Sequence, residues 1–158
     1  MTLALQFAQI FQALLTPVVA ITAVYFARQQ WKANRLKLLM DRYERRLRVY
    51  EEVVKFIALT CRDFKPDVHE VLKFAGATAE ADFLFPPEIP AYISVLRKRA
   101  LDSWVAHTEY RDMTQPIPEG YDHQKVTTAM HEHSMWLIGQ PDVALEKFRP
   151  YLDISAAL

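Results

Sequence analysis

A chain of 158 residues with 19 basic and 19 acidic side chains has room for one ordinary domain and no net charge to draw a polyanion to the whole surface. Its single cysteine, Cys61, excludes an internal disulfide framework and fits a reducing compartment. Nine prolines against three glycines suit a helical protein broken by prolines, and so few glycines argue against a phosphate-cradling loop.

The neutral total hides an asymmetry. Residues 1–27 contain no Asp, Glu, Lys or Arg; residues 28–62 hold ten basic and four acidic side chains; residues 63–158 hold nine and fifteen. Such a split predicts either that the two charged parts dock or that the basic part faces an anionic surface.

The first predicted element is the run of 25 uncharged residues from Leu3 to Ala27. As a helix it would extend ~37 Å, and a bilayer core needs about 20 residues, so residues 1–27 read as a transmembrane anchor with its apolar core at Ile10–Ala27. A signal peptide would want a basic start, which MTLALQ does not supply. A buried core helix is the other alternative, because Gln6, Gln9 and Gln12 interrupt the first turns. Gln9 and Gln12 share a face with Thr16, and either reach the outer headgroups or make a polar contact with a neighbouring helix inside the membrane. Pro17 is a possible kink. Tyr25 and Trp31 suit the opposite membrane interface as amphipathic anchors, together with Arg28, Lys32, Arg35 and Lys37. No acid appears before Asp41, so the positive-inside rule places residues 28–158 in the cytoplasm and the N-terminus outside. Those four cations are set against anionic lipid headgroups, at ~1 kcal/mol each near the surface.

Beyond the interface the apolar positions Ala33, Leu36, Met40, Tyr43, Leu47, Tyr50, Val54, Ile57 and Cys61 recur at spacings of three and four. This heptad-like period predicts one long helix to about Cys61, with Leu36 through Ile57 as a packing seam. Asp41–Arg45, Glu44–Arg48, Arg48–Glu52 and Glu51–Lys55 stand four apart and predict ion pairs on a solvated outer face. With the basic residues beside the membrane or paired along the helix, nucleic acid is not an expected partner.

Five shorter segments follow. Pro66-Asp67 predicts a helix start, with Val68, Val71, Leu72 and Ala75 inward. ATAEADFLFPPEIP is a connector whose Phe83, Leu84 and Phe85 either plug the end of a bundle or form a binding tip. Pro87 opens a helix with Ile89, Ile93, Leu96, Ala100, Trp104 and His107 inward. Asp122 is an N-cap for HQKVTTAMHEHSMWLI, with Val126, Met130, His133 and Leu137 inward. A last helix carries Ala144, Phe148 and Tyr151 or Leu152. No segment alternates, so the expected fold is all-α: an N-terminal transmembrane helix continuing into a long basic helix packed in an antiparallel helical bundle of residues 28–158.

His131-Glu132-His133 invites a metal reading, but residues two apart on a helix point to different faces, whereas a zinc pair wants four. A metal site would have to recruit His107 or His123 from elsewhere in the bundle. No G-x-S-x-G, P-loop or distinctive carboxylate pair is present, so no enzyme activity, cofactor or catalytic residue is expected.

The segments QQWKANRLKLLMDRYERRLRVYEEVVKFI, FLFPPEIPAYISVLRKRA and FRPYLDI resemble a family of uncharacterised small bacterial membrane proteins. The resemblance implies a single-span inner-membrane protein with a helical cytoplasmic part. The expected role is a membrane-anchored interaction or scaffold protein, with a protein partner or a second copy, as an accessory subunit of a larger membrane complex in its narrower form. A metal-dependent or a stress- or phage-response effector at the membrane is the alternative.

Overall fold

The computed structural model describes residues 2–63, 67–112 and 114–153, and in the first helix the side chains from residue 17 to residue 62. Six helices make it up: α1 (Thr2–Asp63), α2 (Val68–Ala77), α3 (Ala81–Leu84), α4 (Glu88–Glu109), α5 (His123–Ile138) and α6 (Gln140–Leu152). No strand occurs among the described residues, so the expected all-α class holds. The chain divides into two compact units, residues 1–41 and residues 42–158.

The helix boundaries follow from local chemistry. Asp67 and Asp122 sit in extended backbone and accept the His69 and Lys125 amide hydrogens at 3.1 and 3.0 Å, satisfying donors that a helix start leaves free. The α5–α6 break needs only Gly139, because Pro141 falls in the first turn of α6, where a missing N–H costs nothing. Gly120, with φ of 81°, makes the turn before α5 in a left-handed conformation that favours glycine.

In the second unit, Val49, Val53, Phe56 and Ile57 of α1, Val71 and Phe74 of α2, Ile89, Ile93, Leu96 and Ala100 of α4, Leu137 of α5 and Ala144 and Phe148 of α6 form one core. Residue pairs across the helices give their directions. Arg99 of α4 meets His133 and Trp136 of α5, Arg111 bonds Tyr121 in the loop that joins the two helices, and Tyr92 near the start of α4 meets Gln140 just past the end of α5, so α4 and α5 run antiparallel. Tyr50 packs on Phe148 and Arg46 reaches Tyr151, so α1 and α6 are antiparallel too. Helix spacing follows side-chain size. Ala100, Ser103 and Ala106 let α4 and α5 approach closely, whereas α1 meets α2 through stacked rings of Phe56 and Phe74, 4.1 Å apart.

The buried face of α1 differs from the heptad seam read in the sequence. Of that seam Ile57 is buried, Tyr43, Leu47, Tyr50 and Cys61 are half-buried, and Leu36, Met40 and Val54 are exposed. The buried line is Val49, Val53, Phe56, Ile57 and Thr60. Both lines have the same period, and the neighbours available to pack decide between them: Phe74 of α2 stacks on Phe56, while Tyr50 of the expected seam packs on Phe148 and stays half-buried. A similar shift affects α2, where Phe74 is buried and Leu72 is exposed, and α4, where Ser103 and Ala106 are buried and Trp104 and His107 only half so. None of the four expected i,i+4 ion pairs of α1 closes; Arg45 reaches Glu80 at 3.8 Å and Lys55 reaches Glu52 at 3.5 Å.

Candidate interaction surfaces

In the first unit every described side chain from Pro17 to Met40 is exposed. Val18, Val19, Ile21, Val24, Tyr25 and Phe26 cover about 220° of the helix circumference at 100° per residue, and Ala20, Ala23 and Ala27 fill the rest. The Thr22 hydroxyl donates to the Val18 and Val19 carbonyls at 3.0 and 2.9 Å, so it needs no outside partner. A helix that is apolar all round is ordinarily covered, by protein or by lipid. Among the described residues no helix is long and apolar enough to cross a membrane. Side chains of the uncharged run are described for residues 17–27, a stretch shorter than the roughly 20 residues a bilayer needs. The proposed polar pair, Gln9 and Gln12, lies outside the residues whose side chains are described.

The interface set lies just beyond. Tyr25 accepts a hydrogen bond from Gln29 at 3.2 Å and packs edge-on against Phe26. The Arg35 guanidinium sits 5.7 Å from the centre of the Trp31 ring. Arg28, Lys32, Arg35 and Lys37 are exposed and make no ion pair with any described acid.

In the second unit the three segments singled out by resemblance meet around one guanidinium. Arg46 of α1 donates to the Leu84 carbonyl at 3.0 Å and the Tyr151 carbonyl at 3.5 Å, the last turns of α3 and α6. Helix ends leave such carbonyls without partners and carry partial negative charge, which a cation stabilises. The guanidinium also lies 5.5 Å from the Phe85 ring and 5.9 Å from that of Tyr151. Partial burial, and then Arg42 nearby, lower its pKa. Tyr151 in turn donates to the Glu88 carboxylate at the start of α4, which raises the phenol's pKa. The FLFPP connector is thereby split: Phe85 is buried, Leu84 half-buried, and Phe83 is 90% exposed. Sequence reading missed Arg46 by treating it as part of a solvated face. The available signal was that its i−4 and i+4 neighbours, Arg42 and Tyr50, give it no acid along the helix.

The histidines do not gather. His107 Nδ1 contacts the Ser103 carbonyl one turn back, at 2.8 Å. His123 lies beside Tyr110 and Tyr121, His131 is exposed, and His133 Nδ1 is 3.5 Å from Arg99. Among the described residues no three His, Cys, Asp or Glu side chains are placed to hold a metal ion. An open recess of about 580 Å³ near the α4–α5 loop is lined by Arg111, Glu109, Glu119, Asp122 and Lys125. Its charges are already used or of mixed sign: Arg111 bonds the Thr108 and Tyr110 carbonyls, and Asp122 caps α5. Burial raises the pKa of the half-buried Cys61 thiol, which works against thiolate chemistry there.

No family model matches the chain, and neither a curated protein nor a solved structure is significantly similar to it.

Proposed function

We propose that the protein is a membrane-anchored, non-enzymatic interaction module, with residues 1–27 as the anchor and the helical part in the cytoplasm of a bacterial cell. The observation that carries this reading is the contrast between the two units. The second gathers a buried apolar core, with Phe83 and Leu72 among the side chains left outside it, while the first buries none of its described side chains up to Met40 and leaves Ile21 and Leu38 each 70% exposed, along with Val24, Phe26 and Trp31. An uncharged run of 25 residues, followed by four cations before any acid, is the pattern of a span with its basic flank inside. The second unit supplies helical surfaces and an exposed Phe83 to a partner, and α1 beyond the headgroups supplies Leu36 and Met40 to a second copy or a companion subunit.

Membrane fractionation with an alkaline carbonate wash tests the anchor, and paired reporters fused at the C-terminus test the orientation. Retention in the pellet with a cytoplasm-active reporter is the expected result. Release by carbonate, or activity of a periplasm-dependent reporter at the C-terminus, overturns the reading. Crosslinking in cells from a photoreactive residue at position 40 is expected to capture either a copy of the chain or one discrete partner.

A further inference from the structure

The interface residues are not spread around α1. At 100° per residue, Tyr25, Arg28, Trp31, Lys32 and Arg35 fall within an arc of about 120°, and Lys37 lies on the opposite side. The apolar residues Ala33, Leu36 and Met40 form a separate face, turned about 110° from the first. All five members of the arc are exposed, and its three cations have no acidic partner among the described residues. Arg35 lies against Trp31, so an aromatic plane and a guanidinium are held side by side. Unpaired cations spaced by one or two turns, flanked by a Tyr and a Trp, match a layer that offers phosphates next to hydrocarbon.

We infer that this arc is a one-sided docking surface for anionic phospholipid headgroups, one that fixes the rotation of α1 against the bilayer surface and leaves the Leu36–Met40 face free for protein. The inference rests on the anchor reading and adds a direction to it. A positive collar that merely obeys the orientation rule would use Lys37 as well as the others. A docking face uses Arg28, Lys32 and Arg35 and not Lys37. Nucleic-acid phosphate offers the same charge but no hydrocarbon layer for Tyr25 and Trp31.

The test uses the full chain carrying Trp104→Phe and Trp136→Phe, so that Trp31 alone reports, reconstituted in vesicles of phosphatidylcholine with or without phosphatidylglycerol. The expected result is that phosphatidylglycerol lowers acrylamide quenching of Trp31 about twofold. Arg28→Gln, Lys32→Gln and Arg35→Gln each reduce that protection, and Lys37→Gln leaves it unchanged. Equal loss with Lys37→Gln, no dependence on phosphatidylglycerol, or displacement by a single-stranded oligonucleotide at physiological salt overturns the inference. Flotation after a carbonate wash separates the two readings. A chain that stays with phosphatidylcholine vesicles but shows no phosphatidylglycerol effect keeps the anchor and loses the docking face. A chain protected by phosphatidylglycerol yet released by carbonate keeps the docking face and loses the anchor.

Discussion

Arg46 ties three segments far apart in sequence, and its energetics set what its replacement does. Hydrogen bonds from a charged donor contribute about 1.5–3 kcal/mol, and both of its acceptors are carbonyls at helix ends. Arg46→Leu is expected to lower unfolding stability by about 2–3 kcal/mol, read as a fall in the urea midpoint at unchanged slope. Arg46→Lys recovers only part of this, because an ammonium cannot fork to two carbonyls and lie on two rings together. Tyr92 makes a second testable site. Its hydroxyl donates to Gln140 Oε1 at 3.2 Å inside the core, and burial pushes its pKa up to about 12. An acid whose folded pKa is raised contributes stability that is complete below its unfolded pKa near 10 and is lost as the pH climbs through 12. Between those values the native chain is expected to lose about 2–3 kcal/mol more than Tyr92→Phe does, measured by denaturant titration at stepped pH. Parallel curves for the two proteins would show that Tyr92 ionises freely in the fold.

Among the elements, the register of α1 decides what the sequence could disclose. Val53 is fully buried and Val54 is 36% exposed, although the heptad period favours Val54. Val53→Ala is expected to cost about 1–2 kcal/mol, and Val54→Ala less than about 0.5 kcal/mol. Equal costs would return the packing line to the sequence-derived seam. Helix type and caps were legible because their causes are local: Asp67 and Asp122 act within three residues, and Gly139 with Pro141 breaks the chain where they stand. The face of each helix was less so. A period of three and four is satisfied by two adjacent lines on α1, and the choice depends on partners in other helices, such as Phe74 stacked on Phe56. The same limit hid Arg46, whose partners are 38 and 105 residues away, and it misdirected the ion pairs, since Arg45 turned to Glu80. The exposed arc from Tyr25 to Arg35 was legible residue by residue, because a lone helix face needs only the helix period.

For the whole molecule, the division at Asp41 and Arg42 separates two kinds of surface. Every member of the core cluster, from Val49 to Phe148, belongs to the second unit, and none of the exposed side chains from Val18 to Met40 contributes to it. On the anchor reading proposed above, stability and attachment would be carried by different residues. A chain starting at Arg42 is expected to keep its helical circular dichroism per residue and a single cooperative transition, with a melting temperature within about 5 °C of the full chain's, because no core contact is removed. The same chain is expected to leave the membrane fraction entirely, since it lacks both the uncharged run and the arc. Loss of cooperative melting would mean that α1 before Asp41 supports the core. Continued membrane recovery of a well-folded fragment would move attachment onto the second unit, where Phe83 is the large side chain left most exposed. Grafting residues 1–41 onto an unrelated soluble protein makes the converse measurement: if attachment resides in the first unit, the graft alone carries its host into the carbonate-resistant pellet.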